Sequence, residues 1–250
     1  NATAQDIPAL TLEDIFQNRA YSPRGIRSLR WMSDNKTYSC IEENFEAQGF
    51  DIVQYHAASG KRTILVPAER LLPSDPADGT TPLYISDYTW SEDRSKLLVF
   101  TNTQRVWRYH TRGDYWVLDL KSGLLKKLGK HLEPASLMFA KFSPDSKKVA
   151  YVSKNNIYAE DLTRYVPEQL THDGNDYTIN GTFDWVYEEE LNCRDGFRWS
   201  PDSRSIAYWQ SDTRGTGTFY MINNIDSLYS QVIPFPYPKV GTTNAAVKIG

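Results

Sequence analysis

The chain is poor in cysteine and has no long run of apolar residues. Cys40 and Cys193 are its two cysteines among 250 residues, whereas zinc sites built on thiolates need more ligands at closer spacing. No stretch approaches the roughly 18 apolar residues of a membrane-spanning helix. The histidines are scattered without the spacing of metal ligands: His56, His110, His131 and His172. We therefore predict neither a metal site nor a bound cofactor.

Clustered basic charge is also scarce. The formal net charge is −3, and the densest group of lysines, between Lys121 and Lys130, surrounds a turn at Ser122-Gly123. Such a group is typical of a solvated sheet edge rather than of a surface that binds phosphates. The sequence therefore disfavours nucleic acid as a partner.

Aromatic residues, in contrast, are plentiful. They make up 13% of the chain, led by 16 tyrosines, and they accompany 13 prolines and 14 glycines. Aromatic side chains favour strands, and proline and glycine favour the turns between strands. This composition indicates an all-β fold of many short strands.

An aromatic residue followed by a polar turn occurs four times, at intervals of roughly 50–60 residues. Proline fixes φ in two of these turns, and aspartate or serine side chains accept local backbone N–H groups. An apolar strand follows each turn, and an outer hairpin follows that strand. The four copies are Trp31–Asp34, Trp90–Asp93, Phe142–Asp145 and Trp199–Asp202.

This period predicts a β-propeller of four-stranded blades. Two strands of each blade flank the aromatic turn, and the hairpin supplies the other two. Cys40 takes the strand position that Val99, Tyr151 and Tyr208 fill in the other copies. A buried structural thiol is therefore predicted at Cys40, and a disulfide to Cys193 is not implied.

The two ends of the chain differ from the repeat. Residues 1–20 form a lead-in segment, in which Thr11–Phe16 predicts a short helix with its first residue as N-cap. Residues 21–250 form the partial propeller. The prolines of Ile233–Lys239 predict an extended connector, and Ala246–Ile249 predicts the first strand of another blade. We expect about four blades and the start of the next, without ring closure; a complete four-bladed protein is the alternative.

Three adjacent carboxylates, Glu188–Glu190, stand among aromatic residues and follow a turn. Neighbours in a strand point to opposite faces and neighbours on a helix diverge by about 100°, so all three cannot converge. A short helix capped by Asp184 would aim Glu189 and Glu190 at one site while Glu188 faces elsewhere. The run is interpreted as a carboxylate trap for a cation; a solvated helix face is the alternative.

Four segments resemble the propeller of dipeptidyl peptidase IV-type prolyl peptidases. Asp184–Glu190 is the most specific of them, and Asn102–Tyr109 is similar to the arginine segment of that family. Tyr237–Asn244 also matches, and Thr11–Phe16 resembles the segment that opens the mature chains. The resemblance covers nearly all of the chain. It implies an eight-bladed propeller capping an α/β-hydrolase domain, with roughly the first half of the ring present here.

The resemblance also implies an activity, site residues and partners. The reaction would be the release of Xaa-Pro or Xaa-Ala dipeptides from peptide N-termini by a serine exopeptidase. By position, Glu189 and Glu190 would bind the free ammonium group of the substrate, and Arg108 would hold the carbonyl of the second-to-last bound residue. The implied partners are such peptides, the protein's own C-terminal α/β-hydrolase domain, and a second copy in a full-length homodimer. The implied location is the periplasm, the cell envelope or the extracellular space.

One departure from the family pattern concerns catalysis. No Gly-x-Ser-x-Gly sequence occurs in the chain, although α/β-hydrolases carry their nucleophile on that motif. We expect the Ser-Asp-His triad in a later domain, no catalytic residue in this fragment, and no activity from it alone. Two alternatives stay open: a non-catalytic propeller that binds proteins, and a tripeptidyl aminopeptidase of the same family. The double glutamate that follows Tyr187 favours the dipeptidyl class.

Overall fold

A computed structural model describes residues 10–23 and 25–250 of the chain. The chain divides into two compact units. One is made of Asn1–Glu42 with Asp51–Leu65, and the other is made of Glu43–Phe50 with Val66–Gly250. Most regular structure is β-strand, as the composition predicted. The predicted lead-in segment lies partly outside the described residues.

The short helix predicted near the start of the chain is confirmed as a π-helical turn over Glu13–Gln17, but its N-cap is Leu12 and not Thr11. The Asn18 N–H donates to the Glu13 carbonyl at 2.9 Å. Thr11 supports the first turn, because its Oγ accepts the Asp14 N–H at 3.0 Å and donates to the Asp14 carboxylate at 2.7 Å.

The first sheet has four strands in the order of the sequence. Cys40 lies in its second strand and is 3% exposed, and burial raises the pKa of its thiol. The buried thiol is therefore confirmed, and both cysteines are unpaired. The strands are β1 (Arg27–Trp31), β2 (Thr37–Asn44), β3 (Gly49–His56) and β4 (Arg62–Val66).

The next two blades follow two short 3-10 helices, Ala68–Leu71 and Pro76–Asp78. In both blades, strands that follow one another in sequence pair antiparallel. β7 also pairs with β9 through Arg112 and Gly113, which joins the two blades into one eight-stranded sheet. The strands are β5 (Asp87–Trp90), β6 (Lys96–Val106), β7 (Tyr109–Asp119), β8 (Leu125–Lys127), β9 (Leu137–Phe142), β10 (Lys148–Ser153), β11 (Asn156–Asp161) and β12 (Val166–Gln169).

The repeated turns close with the side-chain bonds that the sequence predicted. In the turn after β9, Ser143 Oγ donates to Asp145 at 2.6 Å and accepts the Lys148 N–H at 3.0 Å. Ser203, from the fourth copy of the turn, accepts the Asp145 N–H at 2.9 Å. One copy thus hydrogen-bonds to the next, which helps to fix the stacking of these sheets.

A shared core fills the space between the joined blades. Its buried side chains come from β6, β7, β9, β10 and β11 and from the residues that directly follow β8 and β11. The core also holds the buried Glu160 carboxylate, which accepts from Tyr151 Oη at 3.1 Å and from the Gly129 N–H at 3.0 Å. The members are Leu98, Tyr115, Val117, Leu128, Leu137, Val149, Tyr151, Tyr158 and Leu162.

The sheet of the fourth blade, which we call the fourth sheet, is built around β15, and a helix interrupts its inner strand. β13 and β14 both pair with β15, and α1 lies between them in sequence. β16 and β17 form a separate hairpin that is inserted before β18. The elements are β13 (Thr178–Asn180), α1 (Trp185–Glu189), β14 (Phe197–Trp199), β15 (Ile206–Asp212), β16 (Thr218–Asn223), β17 (Gln231–Pro236) and β18 (Ala246–Ile249).

Two expectations about the end of the chain were wrong. Ala246–Ile249 does not open another blade, since it pairs antiparallel with β15 as an outer strand of the fourth sheet. Gln231–Pro236 is a strand rather than a connector. Pro234 and Pro236 are two positions apart, so their missing N–H groups fall on the same edge of the strand, and the other edge can pair with β16.

Candidate functional site

Helix α1 sets the position of the three glutamates. It follows Gly181, whose φ of 75° turns the chain out of β13. Asp184 is buried and caps the helix by accepting the Tyr187 N–H at 3.2 Å, and burial raises the pKa of its carboxyl group. The structure confirms the predicted short helix and its aspartate cap.

Glu189 and Arg108 are brought together. The Arg108 Nε lies 2.5 Å from Glu189 Oε2, although Arg108 sits in the turn between β6 and β7 and is distant from α1 in sequence. The Glu189 side chain is 4% exposed, whereas that of Arg108 is 72% exposed. The buried Glu189 Oε1 has no hydrogen-bond partner in the described part of the chain. One oxygen of this carboxylate is therefore unsatisfied where the sequence predicted a cation.

Glu190 occupies a different environment. Glu190 is the C-cap of α1, and its N–H donates to the Val186 carbonyl at 3.0 Å. The residue is exposed. The predicted convergence of Glu190 with Glu189 on one ligand therefore stays a prediction.

Glu188 faces away from the Arg108–Glu189 pair, as helix geometry predicted. Its side chain is buried, and Oε1 lies 3.5 Å from the Nε of Arg194. Burial raises the pKa of Glu188 to about 7; the Arg194 charge opposes this shift and the Glu189 charge adds to it. Arg194 was not singled out from the sequence, because its distance from Glu188 matches no helical or strand spacing.

A cavity of about 640 Å³ lies beside the Arg108–Glu189 pair. The turn between β6 and β7, helix α1 and the β16–β17 hairpin with the residues after it supply its walls. Its walls are mostly aromatic: the ring centroids of Trp185 and Tyr237 are 4.8 Å apart, and those of Trp107 and Phe235 are 5.0 Å apart. Phe219 packs against both Phe235 and Tyr237. We call these five residues the aromatic wall.

Sequence reasoning missed the hairpin half of this wall. Phe235 and Tyr237 lie in the segment that the sequence predicts as a connector, and Phe219 lies in β16, which pairs with β17. The alternation of aromatic residues and proline was a usable signal, because residues two apart in a strand share a face.

A family model, the N-terminal region of dipeptidyl peptidase IV, matches residues 91–250. The chain belongs to the dipeptidyl peptidase IV family. Among curated proteins it is 34% identical to prolyl endopeptidase FAP of Bos taurus over 256 residues, covering 100% of this chain and 30% of that protein. It is 29% identical to dipeptidyl aminopeptidase B of Saccharomyces cerevisiae over 242 residues, covering 92% and 28%.

Among solved structures, the dipeptidyl peptidase 4 of Porphyromonas gingivalis is 31% identical and superimposes with a TM-score of 0.80, over 97% of this chain and 33% of that one. This match confirms the predicted β-propeller blades. The chain therefore spans about a third or less of the length of these relatives.

Within residues 10–23 and 25–250, no group of three or more histidine, cysteine or acidic side chains is placed to hold a metal ion. No helix in the same residues is long and apolar enough to cross a membrane.

Proposed function

We propose that this region binds the free N-terminal ammonium group of peptide substrates for a serine dipeptidyl peptidase. The full-length enzyme would release Xaa-Pro and Xaa-Ala dipeptides, with its Ser-Asp-His triad on a C-terminal α/β-hydrolase domain. The observation that supports this proposal most is the buried Glu189 carboxylate, which has one unsatisfied oxygen beside a cavity and one oxygen on Arg108.

A carboxylate site distinguishes the N-terminus of a peptide substrate from the nitrogen atoms inside the peptide. A free α-amino group has a pKa of about 7.7–8, so much of it is cationic at neutral pH, whereas an internal peptide nitrogen is neutral. A buried carboxylate oxygen without a donor gains a hydrogen bond and the attraction of opposite charges from the cationic group, whereas a neutral peptide N–H supplies the hydrogen bond alone. The Glu189 site would therefore select peptide N-termini.

Arg108 and Glu190 complete the proposed site. The Arg108 guanidinium has four N–H donors besides Nε–H, the group that faces Glu189. We assign one of them to the carbonyl of the second-to-last bound residue. Glu190, next to Glu189 and exposed, supplies the second carboxylate in this proposal.

The aromatic wall favours a cation at the same place. Ring faces attract an ammonium group, and they also exclude water, which strengthens the attraction between the ammonium and Glu189. A fixed ammonium position would set how many residues of the peptide reach the nucleophile. The distance from the ammonium site to the nucleophile would thus limit the product to a dipeptide.

The remaining parts of the proposal rest on family membership. They are contact with the protein's own hydrolase domain, a homodimer of the full-length protein, and a location outside the cytoplasm.

A non-catalytic propeller that binds proteins is the second candidate. The exposed apolar side chains of the β16–β17 hairpin favour a protein contact, since patches of this kind mark interaction surfaces. They include Ile222, Ile225, Leu228, Tyr229 and Val232.

Kinetics of the natural full-length protein test the proposal. We compare the parent with Glu189→Gln on a Gly-Pro chromogenic substrate, with the exposed Glu92→Gln as the matched control. Loss of one charge-assisted contact should lower kcat/KM by roughly tenfold to a hundredfold, and the control should match the parent. Equal turnover by Glu189→Gln and the parent would reject the role of Glu189, and no turnover by the parent would favour the non-catalytic candidate.

A further inference from the structure

Arg194 joins the loop after α1 to the helix itself. Its side chain is 16% exposed. Nη2 donates to the Glu188 carbonyl at 3.2 Å, and Nε lies 3.5 Å from the Glu188 carboxylate. Nη1 donates to Asn192 Oδ1 at 2.5 Å. The guanidinium is thus held against the last turn of the helix by two contacts with Glu188, and it is held to the following loop by one contact with Asn192.

The same guanidinium reaches the turn that carries Arg108. Its Cζ lies 3.8 Å from the centroid of the Tyr109 ring. Tyr109 is the neighbour of Arg108 and begins β7. A cation over the face of an aromatic ring is an attractive contact, and arginine makes it more often than lysine.

Two parallel contacts therefore connect the β6–β7 turn with helix α1. Arg108 contacts Glu189, and one residue further along the turn Tyr109 contacts Arg194, which is fixed to Glu188. In the first contact the arginine is highly exposed, and such a side chain is weakly fixed by an ion pair alone. In the second contact the Arg194 side chain is only 16% exposed, although the Tyr109 ring is 48% exposed.

Helix α1 also needs support from outside itself. It has five residues, Trp185–Glu189, and helices this short are not stable without tertiary contacts. Asp184 caps its start. At its end, Arg194 Nη2 donates to the Glu188 carbonyl oxygen, which accepts no hydrogen bond from within so short a helix.

From these contacts we infer that Arg194 is a positioning residue, which holds the Arg108 turn and the Glu189 helix at a fixed distance so that both meet the same substrate terminus. This inference rests on the proposed function. Arg194 does not line the cavity beside Glu189, and its contacts are Glu188, Asn192 and Tyr109.

The simplest competing explanation is that Arg194 only neutralises the buried Glu188 charge. The two explanations differ for Tyr109, which makes no contact with Glu188 among the interactions described above. If Arg194 only balances charge, removal of the Tyr109 ring should have no effect on substrate binding. If it positions the turn, removal of the ring should act like a change of Arg194.

Kinetics of the natural full-length protein separate these explanations. The variants are Tyr109→Leu, which keeps the Glu188–Arg194 pair, and Arg194→Lys, which keeps the charge and loses the guanidinium that lies over the Tyr109 ring. The matched controls are Tyr177→Leu, at another exposed tyrosine, and Arg198→Lys, at an exposed arginine nearby.

We expect each variant to raise KM for a Gly-Pro chromogenic substrate by about fivefold to tenfold while kcat stays within about twofold. The double variant should show no more than the larger single effect, because both changes break one connection. Hydrogen exchange should become faster over residues 105–110 and 185–190 in both variants. Neither control should change KM or exchange.

Unchanged KM and unchanged exchange in Tyr109→Leu would overturn the inference, even if Arg194→Lys failed to fold. Fully additive effects in the double variant would also overturn it. Glu189→Gln, measured alongside, separates this inference from the proposed function. If Glu189→Gln loses activity while Tyr109→Leu and Arg194→Lys match the parent, the inference alone is wrong. If Glu189→Gln keeps parent kinetics, the proposed function is wrong and the positioning role fails with it.

Discussion

The repeated turns of the blades and the α1 insertion use carboxylates in opposite ways. In the turns, hydrogen bonds from Ser143 and Ser200 lower the pKa of Asp145 and Asp202. In the insertion, burial raises the pKa of Asp184 and Glu188. Glu188 Oε1 and Glu189 Oε1 also lack hydrogen-bond partners among the described residues.

This difference separates a structural role from a binding role. A carboxylate that accepts several hydrogen bonds from its own turn has little capacity for a ligand. A buried carboxylate oxygen without a donor carries a desolvation cost that a cationic ligand can offset. The same side-chain chemistry thus stabilises the blades at one place and prepares a site at the other.

The largest expected effect is on enzyme activity, and it tests whether the structural and the binding carboxylates have separate roles. In the full-length protein, Glu189→Ala should lower kcat/KM by roughly tenfold to a hundredfold with little change in Tm, since the lost contact is to the substrate. Asp145→Asn, in a blade turn, should lower Tm and leave kcat/KM within about twofold of the parent. If the two variants exchanged these effects, the separation of roles would be wrong.

The next effect concerns the turn that leads into the insertion. Gly181→Ala would place a Cβ 2.8 Å from Ile157 Cγ1, at a φ of 75° that L-residues rarely adopt. We expect a loss of about 2–4 kcal/mol in the free energy of unfolding, from backbone strain and overpacking together. Chemical denaturation of the full-length protein measures it. Gly60→Ala has a similar φ of 68° with nothing near its Cβ, so it should cost clearly less.

A smaller effect on the free energy of unfolding is expected for changes in the blade turns. Ser143→Ala removes a donor to Asp145 and an acceptor for the Lys148 N–H, both partly buried. The expected cost is about 1–3 kcal/mol in the free energy of unfolding. The exposed Ser205→Ala, in the equivalent turn of the fourth blade, should change stability by less than about 0.5 kcal/mol. Equal costs at the two serines would show that these turn bonds do not stabilise the blades.

The smallest effect is a pH dependence at Glu188. Its pKa is about 7 in the folded chain, above the ordinary value of 4.5, so the folded state binds this proton more tightly. The stabilisation of the folded state by this tighter proton binding is fully present below pH 4.5 and is lost as pH rises through 7.

Glu188→Gln has no such proton. Its stability relative to the parent should therefore rise by on the order of 1 kcal/mol between pH 5 and 8. Thermal unfolding of the two proteins across this range measures it, with Glu92→Gln as the control. A difference that stays flat with pH, or that falls, contradicts the shifted pKa of Glu188.

The blades were predictable from sequence because each copy of the turn carries its own local chemistry. An aromatic residue is followed three positions later by an aspartate in all four copies, and a serine directly follows the aromatic residue in three of them. These residues specify a tight turn between two strands. Helix α1 was predictable for a similar reason, since Asp184 and the spacing of the glutamates indicate a capped helix.

The rest of the site depends on contacts between segments far apart in sequence. The β17 strand was missed because its prolines argue against a central strand, and its edge position is a tertiary property. Arg194 was missed because its partners, Tyr109 and Glu188, come from two different elements. The place of β18 in the fourth sheet depends on the inserted hairpin, which separates it from β15.

The most direct test of the ammonium site is a crystal structure of the full-length protein with a bound Xaa-Pro dipeptide that has a free N-terminus. We predict the ammonium nitrogen at about 2.7–3.2 Å from the Glu189 carboxylate. An ammonium nitrogen more than about 5 Å from Glu189, with the dipeptide otherwise ordered, would lie beyond any hydrogen bond and would contradict the proposed site.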